Sequence, residues 1–156
     1  MELKLAVAYV AAHAKIRGKK ALQKLVYFLQ ETGIPMGCSF RMHLYGPYSN
    51  EVAQEYVEFV ATEILKEVPH SHSFEQGTNC QIFLSEHHEK VEPHKEKLNR
   101  IIKVLGKLSP MELEMYATTH FIASALYETY GISESEKIIN EVRQAKGIKL
   151  ILLQEP

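Results

Sequence analysis

Two histidines and a cysteine near the middle of the chain come closest to the spacing of a metal site. His70 and His72 alternate in a stretch predicted to be a strand, so both side chains face the same way. A hairpin centred on Gly77 would bring Cys80 to that face, and tetrahedral zinc needs three or four such ligands. The spacing matches no standard zinc finger, and Cys38 would have to come from a distant loop. We therefore predict no metal and no cofactor, with a zinc site as the less favoured alternative.

His120 is the next candidate for chemistry, since it lies in a predicted helix beside Thr118, Thr119 and Phe121. A catalytic role would need a nucleophile or a carboxylate within reach of its ring. No nucleophile elbow, phosphate-cradling glycine loop or zinc-hydrolase motif surrounds it. We predict a core histidine hydrogen-bonded to the backbone or to a threonine, and a protein that is not an enzyme. Cys38 is predicted to be a small buried residue.

The third predicted helix carries an acidic stripe, because Glu51, Glu55 and Glu58 stand at i, i+4 and i+7. Gln54 lies among them, and no basic residue occurs in this helix before Lys66. A helix that reads DNA needs Arg, Lys, Asn or Gln to meet phosphates and base edges. Such a stripe would repel DNA and could instead occupy a basic cleft of a protein. A solvated helix face is the simpler alternative.

A turn before that helix, Tyr45-Gly46-Pro47-Tyr48, is predicted to lie beside the acidic stripe. Tyrosine offers a large, rigid face and is enriched at protein interfaces. The alternative is that Gly46 and Pro47 only direct the chain into the third helix, while both rings pack inward. We favour that alternative for Gly46 and Pro47, and for Tyr48 both interpretations stay open.

Basic residues cluster around the junction of the first two predicted helices. The cluster consists of Lys15, Arg17, Lys19, Lys20 and Lys24. Winged-helix proteins commonly contact phosphates there without reading bases. A patch of this kind, without a basic third helix, predicts at most weak, salt-sensitive binding that ignores sequence. A solvated helix end is the alternative.

The elements that position these residues form one domain over residues 1–156, mainly α with a small β-hairpin. We predict a winged-helix-like N-terminal half and a helical C-terminal half. The predicted N-terminal elements begin with a helix from Glu2 to Ile16, which Gly18 separates from a second helix that ends near Gly33. They continue with a strand from Phe40 to Leu44, a helix from Ser49 to Lys66, and a hairpin pairing Val68–Phe74 with Cys80–Leu84 about Gly77.

The C-terminal half shows clear helix boundaries. A fourth helix runs from Pro93 to Gly106, and a fifth begins at a capping box of Ser109 with Glu112 and ends at Gly131. Ser133 with Glu136 predicts the start of a sixth helix, which ends near Gly147. The apolar run Ile148–Leu153 is either a strand or a tail folded on the core.

Composition narrows the class of protein. The formal net charge of −1, from 18 basic and 19 acidic residues, gives no global field that would attract nucleic acid. Two cysteines are too few for a disulfide framework and favour a reducing, cytoplasmic setting. The apolar run Leu5–Ala12 is too short to cross a membrane, and basic residues follow it where a signal peptide would have them first.

Three blocks of sequence, in order, resemble the YwgA-like family. They are Lys20–Gln30, Leu44–Ser49 and Ser109–Phe121. The chain is also similar to the C-terminal domain of antitoxins whose N-terminal macrodomain removes ADP-ribose from DNA, and more distantly to the Panacea antitoxins. No macrodomain is present here, so that hydrolase activity does not carry over. The resemblance implies that the domain blocks a toxin that ADP-ribosylates single-stranded DNA, by placing acidic groups where phosphates would bind.

These observations together predict a non-enzymatic, antitoxin-like or defence-associated binding module that occludes the nucleic-acid cleft of a toxin-like protein, such as a DNA-modifying ADP-ribosyltransferase. Binding of nucleic acid itself is expected to be weak or absent, no membrane is involved, and a homodimer is left open. The alternative is a winged-helix DNA-binding transcription regulator. The expected contact residues are Tyr45, Gly46, Pro47, Tyr48, Glu51, Gln54, Glu55 and Glu58.

Overall fold

A computed structural model describes the backbone of residues 1–154 and the side chains of residues 1–147. The protein is mainly helical with small antiparallel strand pairs, which confirms the predicted fold class. The helices are α1 (Leu3–His13), α2 (Lys19–Glu31), α3 (Asn50–Ala61), α4 (Cys80–Glu86), α5 (His88–Val91), α6 (Lys95–Leu105), α7 (Pro110–Tyr130) and α8 (Ser135–Gln154). The strands are β1 (Arg41–His43), β2 (Gly46–Tyr48), β3 (Leu65–Glu67) and β4 (Phe74–Gln76).

The core forms around α1 and α2. Leu22, Leu25, Val26 and Leu29 stand at i, i+3, i+4 and i+7, which is the spacing of an apolar helix stripe, and all four are buried. This face packs on α6 and α7, while α1 packs on α4 and α6. The predicted end of the first helix at Ile16 is wrong, because α1 stops at His13.

Ile16 belongs to the connection between α1 and α2, where it makes a two-way bridge to the second hairpin. The Ile16 N–H donates to the Phe74 carbonyl at 3.0 Å, and the Phe74 N–H donates to the Ile16 carbonyl at 2.7 Å. Both side chains are buried. The linker is therefore extended at Ile16, where it pairs with the first residue of β4, and it does not continue the helix.

The predicted strand Phe40–Leu44 is shorter in the structure and has a partner that the sequence did not indicate. Arg41–His43 pairs antiparallel with Gly46–Tyr48, with Met42 opposite Pro47. Proline is tolerated here because a two-stranded sheet consists only of edge strands. Leu44 lies in the connecting turn and is exposed, so the predicted end of the strand at Leu44 is wrong.

The hairpin after α3 exists, but its predicted register is wrong. β3 pairs with β4 from Leu65 opposite Gln76 to Glu67 opposite Phe74, and the turn spans residues 68–73. The helix predicted to reach Lys66 ends at Ala61, so the first strand begins early. Cys80–Leu84, predicted to be a strand, is helical and belongs to α4.

Gly77 explains the shifted register. Its N–H donates to the Ile64 carbonyl at 2.8 Å, and a Cβ on Gly77 would lie 2.0 Å from the Glu63 carbonyl oxygen. A backbone approach this close admits only glycine. The glycine marks a crossing of two chain segments and is not the centre of the hairpin.

The C-terminal half follows its local signals more closely. The capping box of Ser109 and Glu112 is present at the start of α7, and Gly131 ends this helix in a left-handed conformation. α8 begins at Ser135, one residue later than the Ser133 cap predicts, and continues past Gly147 to Gln154. The run Ile148–Leu153 is thus helical and not a strand, and its side chains lie outside the described residues.

The order α1, α2, β1–β2, α3, β3–β4 gives the N-terminal half the winged-helix-like sequence of elements that we predicted. The expected short strand is itself a hairpin, so two hairpins flank α3. This arrangement places the β1–β2 turn, the start of α2 and one face of α3 next to each other.

Candidate functional site

A cleft of about 420 Å³ opens between α2, the β1–β2 turn and α3. We call it the turn cleft. Two of the three sequence blocks that carry the family resemblance contribute to its walls. The polar and aromatic side chains that line it are Lys19, Lys20, Gln23, Lys24, His43, Tyr45, Tyr48 and Tyr56.

The floor of the turn cleft is built from buried polar residues of α2. Gln23 is buried and binds Ser49 in both directions: its amide nitrogen donates to the Ser49 carbonyl at 2.9 Å, and its carbonyl oxygen accepts from the Ser49 N–H at 2.9 Å. Lys24, only 2% exposed, donates from Nζ to the Pro47 carbonyl at 2.9 Å. These bonds hold the turn and the start of α3 against α2.

Lys24 was expected to belong to a solvent-facing basic cluster, and this expectation is wrong. The side chain is buried, because Lys24 lies next to the apolar face of α2 and the Pro47 carbonyl accepts a hydrogen bond from its ammonium group. Lys15, Arg17, Lys19 and Lys20 are exposed as expected.

Gly46 packs directly on α7. Its φ of +91° lies in the region that favours glycine, and a Cβ would lie 2.7 Å from the Thr118 hydroxyl oxygen. That hydroxyl is buried and has no hydrogen-bond partner among the described residues. On the same helix, buried Glu114 forms an ion pair of 2.6 Å with Lys146 of α8. The turn is therefore fixed by α2 on one side and by α7 on the other.

The four expected turn residues divide into two pairs. Gly46 and Pro47 are buried and direct the chain, so they offer a partner little surface. Tyr45 is half-buried, with the Lys20 ammonium 3.4 Å from its ring centroid. Tyr48 is half-buried and stacks on His43 with 4.5 Å between centroids. Both rings keep part of their surface accessible.

The acidic stripe on α3 is divided by its neighbours. Glu51 accepts hydrogen bonds from the Ser49 hydroxyl at 2.8 Å and the Ser39 N–H at 3.3 Å. Hydrogen bonds from its own backbone N–H and from Ser49 lower the pKa of Glu51, so it stays ionised. Glu58 forms an ion pair of 3.0 Å with Lys4 of α1.

Gln54 and Glu55 lie exposed between those two carboxylates. Glu55 has no ion-pair partner among the residues whose side chains are described. Of the three stripe carboxylates, Glu55 thus offers an uncompensated charge, while Glu51 and Glu58 are used within the protein.

The histidine and cysteine candidates are not brought together. His70 and His72 lie exposed in the β3–β4 turn, whereas Cys80 is buried in α4 and its thiol donates to the Ala8 carbonyl at 3.2 Å. Within residues 1–147, no group of three or more histidine, cysteine or acidic side chains has the arrangement of a metal site. Cys38 is buried, as its sequence suggested.

His120 has a different partner from the one predicted. Its Nδ1 lies 2.7 Å from the Tyr27 hydroxyl, and among the described residues it bonds to no threonine and to no backbone group. The residue is exposed and does not belong to the core. The Tyr27 ring also contacts Phe28 and Phe40 edge-on. Burial raises the pKa of Tyr27 well above its ordinary value. The pair stabilises the contact between α2 and α7.

The sequence did not single out Gln23 or the contact of Lys19 with Tyr56. The Lys19 ammonium lies 4.6 Å from the Tyr56 ring centroid, and this tyrosine raises the pKa of Lys19. Gln23 is a polar residue between Leu22 and Lys24, next to the apolar positions of an amphipathic helix. This placement is the signal that could have identified it as a buried hydrogen-bonding group.

None of the helices within the described part of the chain combines the length and the apolar character needed to span a bilayer. No family model matches the sequence, and no curated protein matches it. The relationship to the YwgA-like family therefore stands as a proposal carried by the three sequence blocks.

Proposed function

We propose that the protein is a non-enzymatic, antitoxin-like or defence-associated binding module of the YwgA-like kind. It acts by covering the nucleic-acid cleft of a partner protein, for which a DNA-modifying ADP-ribosyltransferase toxin is the leading candidate. Contact is made by Tyr45, Tyr48, Gln54 and Glu55. The observation that carries the proposal is the rigid mounting of the β1–β2 turn by Gln23 and Lys24.

Rigid mounting favours binding because the turn has already lost its conformational freedom before the partner arrives. Ordering a side chain or loop at an interface costs about 0.5–1.5 kcal/mol for each flexible side chain. Buried bonds from α2 to Ser49 and Pro47 remove most of that cost for the turn. Tyr45 and Tyr48 then present two preordered ring faces, and tyrosine is one of the residue types enriched among binding hot spots.

The charge that α3 offers is smaller than the sequence suggests, and this changes the balance of the proposed interface. Glu55 supplies an open carboxylate, Glu51 is ionised but locally hydrogen-bonded, and Glu58 is paired with Lys4. Exposed charges at an interface mainly steer association. We therefore assign affinity chiefly to the tyrosines and assign electrostatic steering to Glu55.

The winged-helix DNA-binding regulator is less well supported. From Asn50 to Ala61, α3 contains no lysine, arginine or histidine, so it has no cation to place in a major groove. A gel shift with duplex DNA at near-physiological salt distinguishes the two functions. A regulator shifts the duplex under these conditions, and an occluding module does not.

The proposal is tested by calorimetric titration with a catalytically inactive toxin of this class. Tyr48→Ala should weaken binding about tenfold or more. Glu55→Gln should weaken it about threefold at low salt and flatten the salt dependence. Glu89→Gln is the matched control, because Glu89 is exposed on α5, outside the elements that form the turn cleft.

Equal effects of Glu55→Gln and Glu89→Gln would remove the acidic contact from the mechanism. If Tyr48→Ala bound the toxin as tightly as the unchanged protein does, the β1–β2 turn would have no part in the interface.

The proposed compartment is the cytoplasm, consistent with the two cysteines being free and buried.

A further inference from the structure

We propose that the turn cleft and a second cleft beside it form one groove for a single strand of nucleic acid, bound without sequence preference. The second cleft, of about 430 Å³, lies between the start of α2 and the β3–β4 turn, and we call it the wing cleft. Lys19 and Lys20 line both clefts, so the two spaces adjoin along the first residues of α2. This inference does not rest on the proposed protein partner.

The groove is electropositive. Arg17, Lys19 and Lys20 are exposed along its length. Among the described side chains that line the two clefts, the only carboxylate is that of Glu67. Cations spaced along a narrow groove suit a phosphate backbone, because each contact releases a condensed counterion. The near-neutral charge of the whole chain makes this a local feature.

Two of these cations are held in place by aromatic rings. The Lys20 ammonium lies 3.4 Å from the centroid of Tyr45, and the Lys19 ammonium lies 4.6 Å from that of Tyr56. Cation–π contacts of this kind orient a lysine that would otherwise sample many rotamers. The ammonium groups are therefore preordered at the boundary between the clefts.

Aromatic groups continue along the turn cleft beyond the lysines. His43 is exposed and stacks on half-buried Tyr48. Interleaved cations and ring faces are the features with which single-stranded nucleic acid is held, since every base has a face that can stack. An acidic peptide would use the cations but would not use the rings in this way.

A duplex does not fit this arrangement. The groove lies on the side of α3 that carries Val52, Ala53 and Tyr56. The other side carries Glu51, Glu55 and Glu58, and the uncompensated Glu55 would face the phosphates of any duplex that took α3 into its major groove. One helix thus separates a surface that attracts phosphate from a surface that repels it.

Fluorescence anisotropy with labelled oligothymidylate and oligouridylate of about 12 nucleotides tests the proposal. We expect binding at low salt that weakens as salt rises. The double variant Lys19→Gln/Lys20→Gln should lower the slope of log K against log salt by about 1.4, or about 0.7 for each lost phosphate contact. Binding of either polymer supports the proposal, and the preferred polymer identifies the source of the strand.

Matched variants separate charge from structure. Lys97→Gln/Lys103→Gln removes the same charge from exposed positions on α6 and should leave the slope unchanged. Lys19→Arg/Lys20→Arg keeps the charge and should keep the slope. Tyr48→Leu should weaken binding about tenfold at constant slope, because it removes stacking and no phosphate contact.

Several results overturn the proposal. One is that neither polymer changes the anisotropy at low salt. Another is that the α6 control and the α2 variant lose the same amount of salt dependence. A third is that a poly-glutamate peptide of the same charge binds with the same affinity as the polymers. Toxin binding is tested separately by Glu55→Gln, because Glu55 lines neither cleft.

Discussion

Gln23 and Ser49 bind each other through two hydrogen bonds of 2.9 Å that run in opposite directions between the Gln23 amide and the Ser49 backbone. The amide thus pairs with the chain as a neighbouring strand would, 26 residues away in sequence. Since Ser49 also caps α3 by accepting from the Val52 N–H, this one contact sets both the turn and the first residue of the next helix.

Gln23→Ala should destabilise the protein by about 2 kcal/mol, because it leaves the buried Ser49 N–H without a partner. Urea denaturation measures the loss. Gln144→Ala is the control, since Gln144 is exposed on α8 and should change stability by less than about 0.5 kcal/mol. A Gln23→Ala effect no larger than the control would show that water replaces the amide.

Gly46→Ala should cost about 2–4 kcal/mol, from strain at positive φ together with the clash between its Cβ and the Thr118 hydroxyl. Thr118→Ala removes the clash but not the backbone strain. The double variant should therefore recover part of the loss in a thermal denaturation series. Strict additivity of the two single changes would contradict the contact.

Thr118→Val should be neutral or stabilising by up to about 1 kcal/mol, since it removes a buried hydroxyl without a hydrogen-bond partner among the described residues and keeps the side-chain volume. Chemical denaturation of the single variant measures this. Thr119→Val is the comparison, because the Thr119 hydroxyl donates to the Met115 carbonyl at 2.8 Å. A clear destabilisation by Thr118→Val would mean that the hydroxyl bonds to solvent in the folded protein.

The stability of the protein should fall as pH rises from 9 to 11, partly through Cys38. Burial, and next the Glu51 and Glu55 carboxylates, raise the pKa of this thiol from 9.0 to about 11. In this interval the unfolded chain has lost the proton that the folded chain retains, so rising pH favours unfolding. Cys38→Ala should lack this part of the decline, on the order of 2 kcal/mol, in denaturation curves across the interval.

If the stability curves of the wild-type protein and Cys38→Ala ran parallel from pH 9 to 11, the raised pKa of the buried Cys38 thiol would be contradicted. The raised pKa of Tyr27 adds to the decline above pH 10 in both proteins and therefore cancels in the comparison.

Lys4→Gln should release Glu58 and strengthen binding to a toxin with a basic cleft about two- to threefold at low salt. The pair is partly exposed, so stability should fall by less than about 1 kcal/mol. Lys90→Gln, which breaks the exposed pair of Lys90 with Glu2, is the control. Equal affinities for the two variants would place Glu58 outside the interface.

Local signals predicted α2 and both ends of α7 well. The apolar spacing of α2, the capping box of Ser109 with Glu112 and the left-handed Gly131 each depend on residues within a few positions of one another. The same kind of signal failed at Gly77, because what requires a glycine there is the approach of the Glu63 backbone, which no local pattern reveals.

The candidate site was predicted only in part, because it too depends on contacts between residues that are far apart in the sequence. Glu51, Glu55 and Glu58 do lie on one side of α3, as the spacing indicated. The partner that compensates Glu58 is Lys4, 54 residues earlier, and the one that positions Ser49 is Gln23. Long-range pairs of this kind decide which charges remain available, and periodicity contains no information about them.

The bridge between Ile16 and Phe74 ties the segment that carries Arg17 and Lys19 to the second hairpin. Two amides that face each other in this way exchange with deuterium at rates set by the same opening event. If the hairpin detaches, the cations beside it lose their alignment at that moment. Heavy-water exchange at these two N–H groups thus reports how often the groove comes apart in an otherwise intact protein.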